Sequence, residues 1–168
     1  MSQSSGGSPI GPCAQAYWRP GKVLVHALAR TEPGFYISAE PWLTLPSNVN
    51  PVVLGSAIRE ALLAFQPNVP IPDYRSPAWK ALQLARVRAV GVRSERQFMS
   101  GSKLVGIATV GQNLRFTPTR NGGSTGPGRG YQDLPEGTFE APLTIDTEGL
   151  GLKVVEAWAR CTLTSVPG

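Results

Sequence analysis

Apolar and polar positions recur along this chain with two different periods, and the changes of period divide it into elements. Lys22–Ala29 (KVLVHALA) is apolar on both alternating faces and rich in β-branched residues, which predicts a central strand covered on both sides. The turn Thr31-Glu32-Pro33-Gly34 and a second short run, Phe35–Ala39, make this a hairpin. Further on, Leu104–Val110 and Leu114–Thr119 are strand-like and separated by Gly111-Gln112-Asn113, a hairpin-length connection, and Thr138–Leu143 predicts one more short strand.

Between and after these runs the period lengthens. Asn50-Pro51 supplies an N-cap and a proline at the first helical position, and Leu54, Ile58, Ala61, Leu62 and Phe65 then share one face of a helix that ends before Pro67. Ser76-Pro77 opens a second helix carrying Trp79, Leu82, Val87 and Val90, with Gly91 placed to terminate it. Ser94 caps one further turn ending near Gly101. Leu150, Val154, Ala157, Trp158 and Cys161 mark a C-terminal helix.

The resulting order, ββαα then βββα, predicts an α+β fold: one domain, a mostly antiparallel sheet of about five strands, and three main helices. Residues 1–21 are expected as a flexible N-terminal tail and 22–168 as the domain, a size that suits a single core. One internal echo stands out. Leu54-Gly55 followed by Ile58, Glu60 and Ala61 matches Leu150-Gly151 followed by Val154, Glu156 and Ala157. Two copies are too few for a repeat architecture, and similar amphipathic helices account for the match.

Composition changes this picture little. The 19 Gly and 16 Pro fall largely outside the periodic stretches and imply long loops, above all Arg120–Gly137. No apolar run reaches the roughly 20 residues of a membrane span, and Met1–Pro12 lacks the basic and apolar regions of a signal peptide, so a cytoplasmic location and no membrane partner are expected. Cys13 and Cys161 have neither metal-ligand spacing nor a disulfide framework and are expected as reduced thiols.

Charge adds more, through its placement. The formal net charge is +5. From Arg75 to Lys103 the basic residues Arg75, Lys80, Arg86, Arg88, Arg93, Arg96 and Lys103 meet only Glu95. From Tyr131 to Glu156 the carboxylates of Asp133, Glu136, Glu140, Asp146, Glu148 and Glu156 meet only Lys153. The domain is electrostatically two-sided, which favours binding to a charged partner.

The residues assemble into no recognisable catalytic constellation. Gly122-Gly123-Ser124-Thr125-Gly126 matches GxSxG, but Pro127-Gly128 follows in place of the helix a nucleophile elbow requires, and the single histidine, His26, lies in a predicted buried strand. Gly149-Leu150-Gly151 opens a helix but lacks the third glycine and the parallel βαβ setting of a dinucleotide loop. The acidic residues have no EF-hand spacing, and Asp133, Glu136 and Glu140 read as a solvated polar loop. Aromatic residues are not interleaved with basic ones as single-stranded nucleic acid demands. No catalytic, metal-binding or cofactor-binding residue is assigned, and no cofactor is expected.

The segment Phe116-Thr117-Pro118-Thr119-Arg120-Asn121-Gly122-Gly123, continuing to Tyr131-Gln132-Asp133-Leu134-Pro135-Glu136, resembles bacterial contact-dependent growth inhibition (CDI) immunity proteins, in which a "TPTRNGG"-like turn leads through a Gly-rich stretch to an aromatic and "LPE". Leu45-Pro46, the helix ending Ala57-Ile58-Arg59-Glu60-Ala61-Leu62, and Trp79-Lys80-Ala81-Leu82 are similar to further elements of that family, so the resemblance covers about Lys22 to Ala159.

The resemblance implies a non-enzymatic cytoplasmic protein that forms a heterodimer with a cognate toxin C-terminal domain, commonly a nuclease, and blocks its active site or substrate approach. The net basic charge departs from the acidic character common among inhibitors of nucleases. Either the acidic stretch or the basic helices could therefore meet the toxin, with steering by opposite charge in both cases. Contact residues are expected in the long loop: Arg120, Arg129, Tyr131, Asp133 and Glu136. The alternative is a small basic nucleic-acid-binding module using the helices, although nucleic acid is not the expected partner.

Overall fold

The computed structural model describes residues 10–163. Three antiparallel strands come first: β1 (Ile10–Arg19), β2 (Lys22–Thr31) and β3 (Tyr36–Pro46). Helix α1 (Pro51–Leu63), the short β4 (Gln66–Val69), and helices α2 (Pro77–Val90) and α3 (Glu95–Met99) follow. The chain continues through β5 (Lys103–Val110), β6 (Asn113–Asn121), β7 (Tyr131–Asp133), a single 3-10 turn at Pro135–Gly137, β8 (Phe139–Pro142), α4 (Thr147–Arg160) and β9 (Thr162–Leu163).

The expected α+β character holds, but the expected count of about five strands and three main helices does not. Nine strands and four α-helices are present among the described residues, in one sheet ordered β3-β2-β1-β5-β6-β7 with β4 added to β2 and with β8 and β9 added to β6. The largest correction is β1. Residues 10–19, expected as tail, form a strand between β2 and β5, pairing antiparallel with both. Its alternation is hidden by small residues: Ala14 and Ala16 are buried on one face and Cys13 and Tyr17 on the other, and alanine carries little strand signal. The tail expectation for residues 1–9 lies outside the described residues.

The remaining additions are strands too short to show a period. β4 and β9 pair in parallel with β2 and β6, and β7 lies inside the segment read as one loop. Backbone pairing to an existing strand forms them, with no apolar pattern of their own.

Helices cover both faces of the sheet. On one face α1 and α4 pack over Ala14, Ala16, Val23, Val25, Val105, Ile107, Leu114 and Phe116. The alanines of β1 leave room for Trp158, whose indole N–H donates to the Ala16 carbonyl at 3.1 Å. On the other face α2 and α3 pack Val87, Val90, Phe98 and Met99 against Tyr17, Leu24 and Leu104. Successive residues of the same strands therefore serve two cores, and β2, buried from Val23 to Ala29, reads as apolar on both faces for this reason.

The first three helices begin at the caps expected from the sequence, and α4 begins at Thr147 behind a cap, Asp146, that the sequence reading did not pick out. The side chains of Asn50, Ser76, Ser94 and Asp146 accept from Val52, Trp79, Gln97 and Gly149 N–H at 2.7, 3.1, 3.1 and 2.7 Å. Gly91 closes α2 with φ of 77°, a left-handed conformation that glycine adopts at low cost. No helix among the described residues is long and apolar enough to cross a membrane.

Candidate functional site

The most elaborated surface lies where the end of β6 meets the end of α3. Thr119 is buried and its hydroxyl donates to the Leu104 carbonyl at 2.7 Å, holding β6 against β5. Two residues later Asn121, also buried, donates through Nδ2 to the carbonyls of Met99 at 2.6 Å and Ser102 at 2.9 Å. Its Oδ1 accepts from Gly123 N–H at 2.9 Å. One amide thus ties three segments together, the end of α3, the start of β5 and the Gly-rich loop. Burial raises the cost of losing any of these bonds.

The glycines after Asn121 have a steric reason to be there. Gly122 donates to the Gly130 carbonyl and Gly130 to the Gly123 carbonyl, both at 2.8 Å, so the loop closes on itself. A β-carbon on Gly122 would overlap the carbonyl of Gly128, and Gly123 and Gly130 have φ of 81° and 90°. The segment that suggested a nucleophile elbow is therefore a closed loop with no helix after Ser124. His26 is wholly buried elsewhere, stacked on Trp42 at 4.4 Å with its Nδ1–H donating to the Ala27 carbonyl at 2.7 Å.

Beneath the loop lies a polar and aromatic cluster. The Arg86 guanidinium is bidentate on Glu95 at 2.8 and 2.7 Å, donates to the Tyr17 hydroxyl at 2.8 Å, and lies 5.0 Å from the Phe98 ring centre and 5.9 Å from that of Tyr131. Tyr131 packs edge-on against Tyr17 at 5.5 Å and shares a hydrogen bond with the Ser102 hydroxyl. Burial pushes its phenol well above the usual tyrosine range, and the Ser102 bond only partly pulls it back.

Of the five residues expected as contacts, three sit on one ladder: Arg120 opposite Gln132, Asn121 opposite Tyr131, and Thr119 opposite Asp133. The Arg120 side chain donates to the Gln132 amide oxygen at 2.6 Å. Arg129 is exposed in the loop, and Asp133 and Glu136 are exposed on β7 and the 3-10 turn. Among the described residues no hydrogen bond or ion pair joins any two of the five. Tyr131 has a packing role that its sequence neighbours do not disclose.

Sequence reasoning did not find the cleft that these contacts create. It has a volume of about 480 Å³, with Arg96, Met99, Ser100 and Gly101 on one wall, Asn121–Thr125 on the other and Leu163 at its rim. A more open groove of similar volume runs between β3 and α1 and is lined largely by apolar side chains, among them Trp42, Leu45 and Val53. The signal that could have located the cleft is Asn121-Gly122-Gly123, an amide followed by two glycines at the end of a strand.

The model of one protein family, described as CDI immunity protein, matches residues 43–161. The chain belongs to this family. As a CDI immunity protein it has structural neighbours at low identity. A Neisseria meningitidis protein of unknown function superposes with a TM-score of 0.71 at 15% identity, covering 95% of this chain and 99% of that one. A toxin and immunity complex, CdiA-CT/CdiI, from Yersinia pseudotuberculosis superposes with a TM-score of 0.72 at 12% identity, covering 92% and 100%. At such identities the likeness is one of fold. No curated protein matches the sequence. The family match includes α1 through α4, and with them the Asn121 clamp and every residue lining the cleft except Leu163.

Proposed function

We propose that this CDI immunity protein binds a cognate toxin domain as a heterodimer in the cytoplasm and neutralises it by covering its active site or the approach of its substrate. The family match over 43–161 carries the reading, and a solved neighbour of the same fold is a toxin and immunity complex. The toxin is a nuclease in this proposal, on the strength of the family resemblance. The contact surface in this proposal includes Arg120, Arg129, Asp133 and Glu136, on the β6–β7 ladder, the Gly-rich loop and the 3-10 turn, with Tyr131 packed beneath the ladder.

The experiment is co-expression of the toxin domain encoded beside this chain, with and without it, followed by titration of the purified pair. Rescue of growth, a one-to-one complex, and suppression of nucleic-acid cleavage by the toxin domain are the expected results. Growth arrest unrelieved by the chain would remove the reading. Nucleic-acid binding is the competing reading, favoured by the exposed Arg75, Lys80, Arg88, Arg93 and Arg96, which form no ion pair among the described residues. It predicts an affinity for duplex DNA or RNA whose logarithm falls linearly with log salt, in the absence of any protein partner.

A further inference from the structure

We propose that the cleft between the end of α3 and the Asn121–Thr125 loop receives an acidic side chain of the toxin domain, gripped by the Arg96 guanidinium. This deepens the toxin-binding reading above and rests on it. The lining supplies a cation in Arg96, hydroxyls in Ser100, Ser124 and Thr125, and no carboxylate. Glu95, the nearest acid in sequence, is engaged on both oxygens by Arg86, at 2.8 and 2.7 Å, so its charge is already matched. Arg96 is exposed and in no ion pair among the described residues.

The neighbouring charges reinforce this arrangement. Arg19 donates to the Gln97 and Phe98 carbonyls at 2.9 and 3.3 Å, which brings a second cation to the end of α3. Arg93 is exposed one residue before the α3 cap. The carboxylates of the acidic stretch are in part consumed elsewhere, Glu140 by Arg115 and Glu156 by Arg160. The surplus of unmatched charge therefore lies on the basic side, where an acidic group is steered inwards.

The walls are held before any partner arrives. Asn121 fixes the loop to α3 and β5 through its amide, and Gly122 lacks the β-carbon that would push the loop away from Gly128. Preorganisation of this kind lowers the cost of binding, and an arginine fork matches a carboxylate in two hydrogen bonds. The lining also argues against nucleic acid. A phosphate backbone is tracked by several cations and its bases by aromatic rings, whereas this cleft holds one cation and no aromatic side chain. Met99 and the half-exposed Leu163 offer an apolar edge to the stem of the entering residue.

The test uses the full chain and its cognate toxin domain carrying an inactivating substitution, titrated by calorimetry. Arg96→Glu should weaken binding by more than about tenfold and Arg96→Lys by less, since truncating or reversing one partner of a desolvated charge pair is costly. Melting temperatures should stay unchanged. Reversing single carboxylates of the toxin surface should identify one whose lysine variant restores binding to Arg96→Glu. Thr125→Trp, at the exposed mouth, should block entry and serves as the deciding variant if Arg96→Glu is poorly folded. Full-strength binding by Arg96→Glu and by Thr125→Trp would overturn the proposal. So would an Arg96→Glu variant that loses affinity for a duplex DNA probe but keeps affinity for the toxin domain. A wild-type chain that fails to bind the toxin domain would overturn the proposed function itself, a result visible before any variant is made.

Discussion

A β-carbon on Gly55 of α1 would overlap the carbonyl oxygen of Thr147 in α4, and the converse holds five residues into the other helix, where Gly151 faces the Pro51 carbonyl. Each helix thus lays the carbonyl of its first residue on the glycine of its partner, and Leu54 and Leu150, each preceding its glycine, are fully buried in the same core. Amphipathic helices alone therefore do not account for the echo between the two helices, because its glycines are set by this reciprocal contact. Helix propensity alone favours alanine over glycine by about 1 kcal/mol. Steric overlap with a backbone atom has the opposite sign and is larger, because overpacking of this kind costs about 1–3 kcal/mol or more. Gly55→Ala and Gly151→Ala should therefore each lower stability in urea denaturation, and a stabilising result at either position would show that the helices can separate at little cost.

Elements with strong local chemistry were legible in the sequence. Asn50-Pro51, Ser76-Pro77 and Ser94 start helices as their caps predict, and the Leu104–Thr119 hairpin falls at its turn. β1 was not legible, because Gly11-Pro12 and two alanines mask a strand whose signal comes from its neighbours. β4, β7 and β9 are specified by pairing partners far away in sequence. The same distinction holds for the site. The loop after Phe116 could be picked out from its own residues, but the cleft needs Met99 and Ser102 to be brought to Asn121 across 22 and 19 residues of chain. No local pattern encodes that approach, so Arg96 appeared in the sequence only as one basic residue among several.

His26 should make stability depend on pH. Burial holds its imidazole down to about 4 from an ordinary 6.5, the Ala27 bond opposes this in part, and nearby Arg86 adds to it. Its Nε2 is buried without a hydrogen-bond partner, so no acceptor awaits a second ring proton. Between these pH values the unfolded chain binds more protons than the folded one. The contribution of His26 is intact above about pH 6.5 and is lost as pH falls towards 4, with a slope approaching about 1.4 kcal/mol per pH unit. Denaturation midpoints measured across this range should flatten in His26→Phe, which keeps an aromatic ring between Tyr17 and Trp42. Equal slopes in the two proteins would mean that His26 protonates without unfolding.

Asn121 should matter for stability and loop order together. Asn121→Ala leaves the carbonyls of Met99 and Ser102 and the Gly123 N–H without their side-chain partner, a loss of about 1–3 kcal/mol by the usual cost of buried unsatisfied groups. Asn121→Asp keeps the acceptor for Gly123 but sets a carboxylate against two carbonyls, and should be at least as damaging. Hydrogen exchange at Gly122 and Gly130, whose N–H groups close the loop, should accelerate in both variants. Protection retained at these amides would place the order of the loop in its glycines alone.

Asp133 and Glu136 allow β7 and the 3-10 turn to be probed as a contact surface without disturbing what holds them. Both are exposed and neither forms an ion pair among the described residues, so reversing them should change stability by no more than about 0.5 kcal/mol, the usual range for surface sites. Tyr131, two residues earlier, would be a poor choice, because its ring and hydroxyl are bound into the cluster below. If these two residues meet the toxin domain, Asp133→Lys combined with Glu136→Lys should weaken both binding and protection of growing cells. Much of the loss should appear in the association rate and diminish at high salt, as expected of charges at the edge of an interface. Reversal of the two carboxylates with no change in affinity would remove β7 and the 3-10 turn from the contact surface and leave the cleft beside Arg96 as the part of this region to be tested.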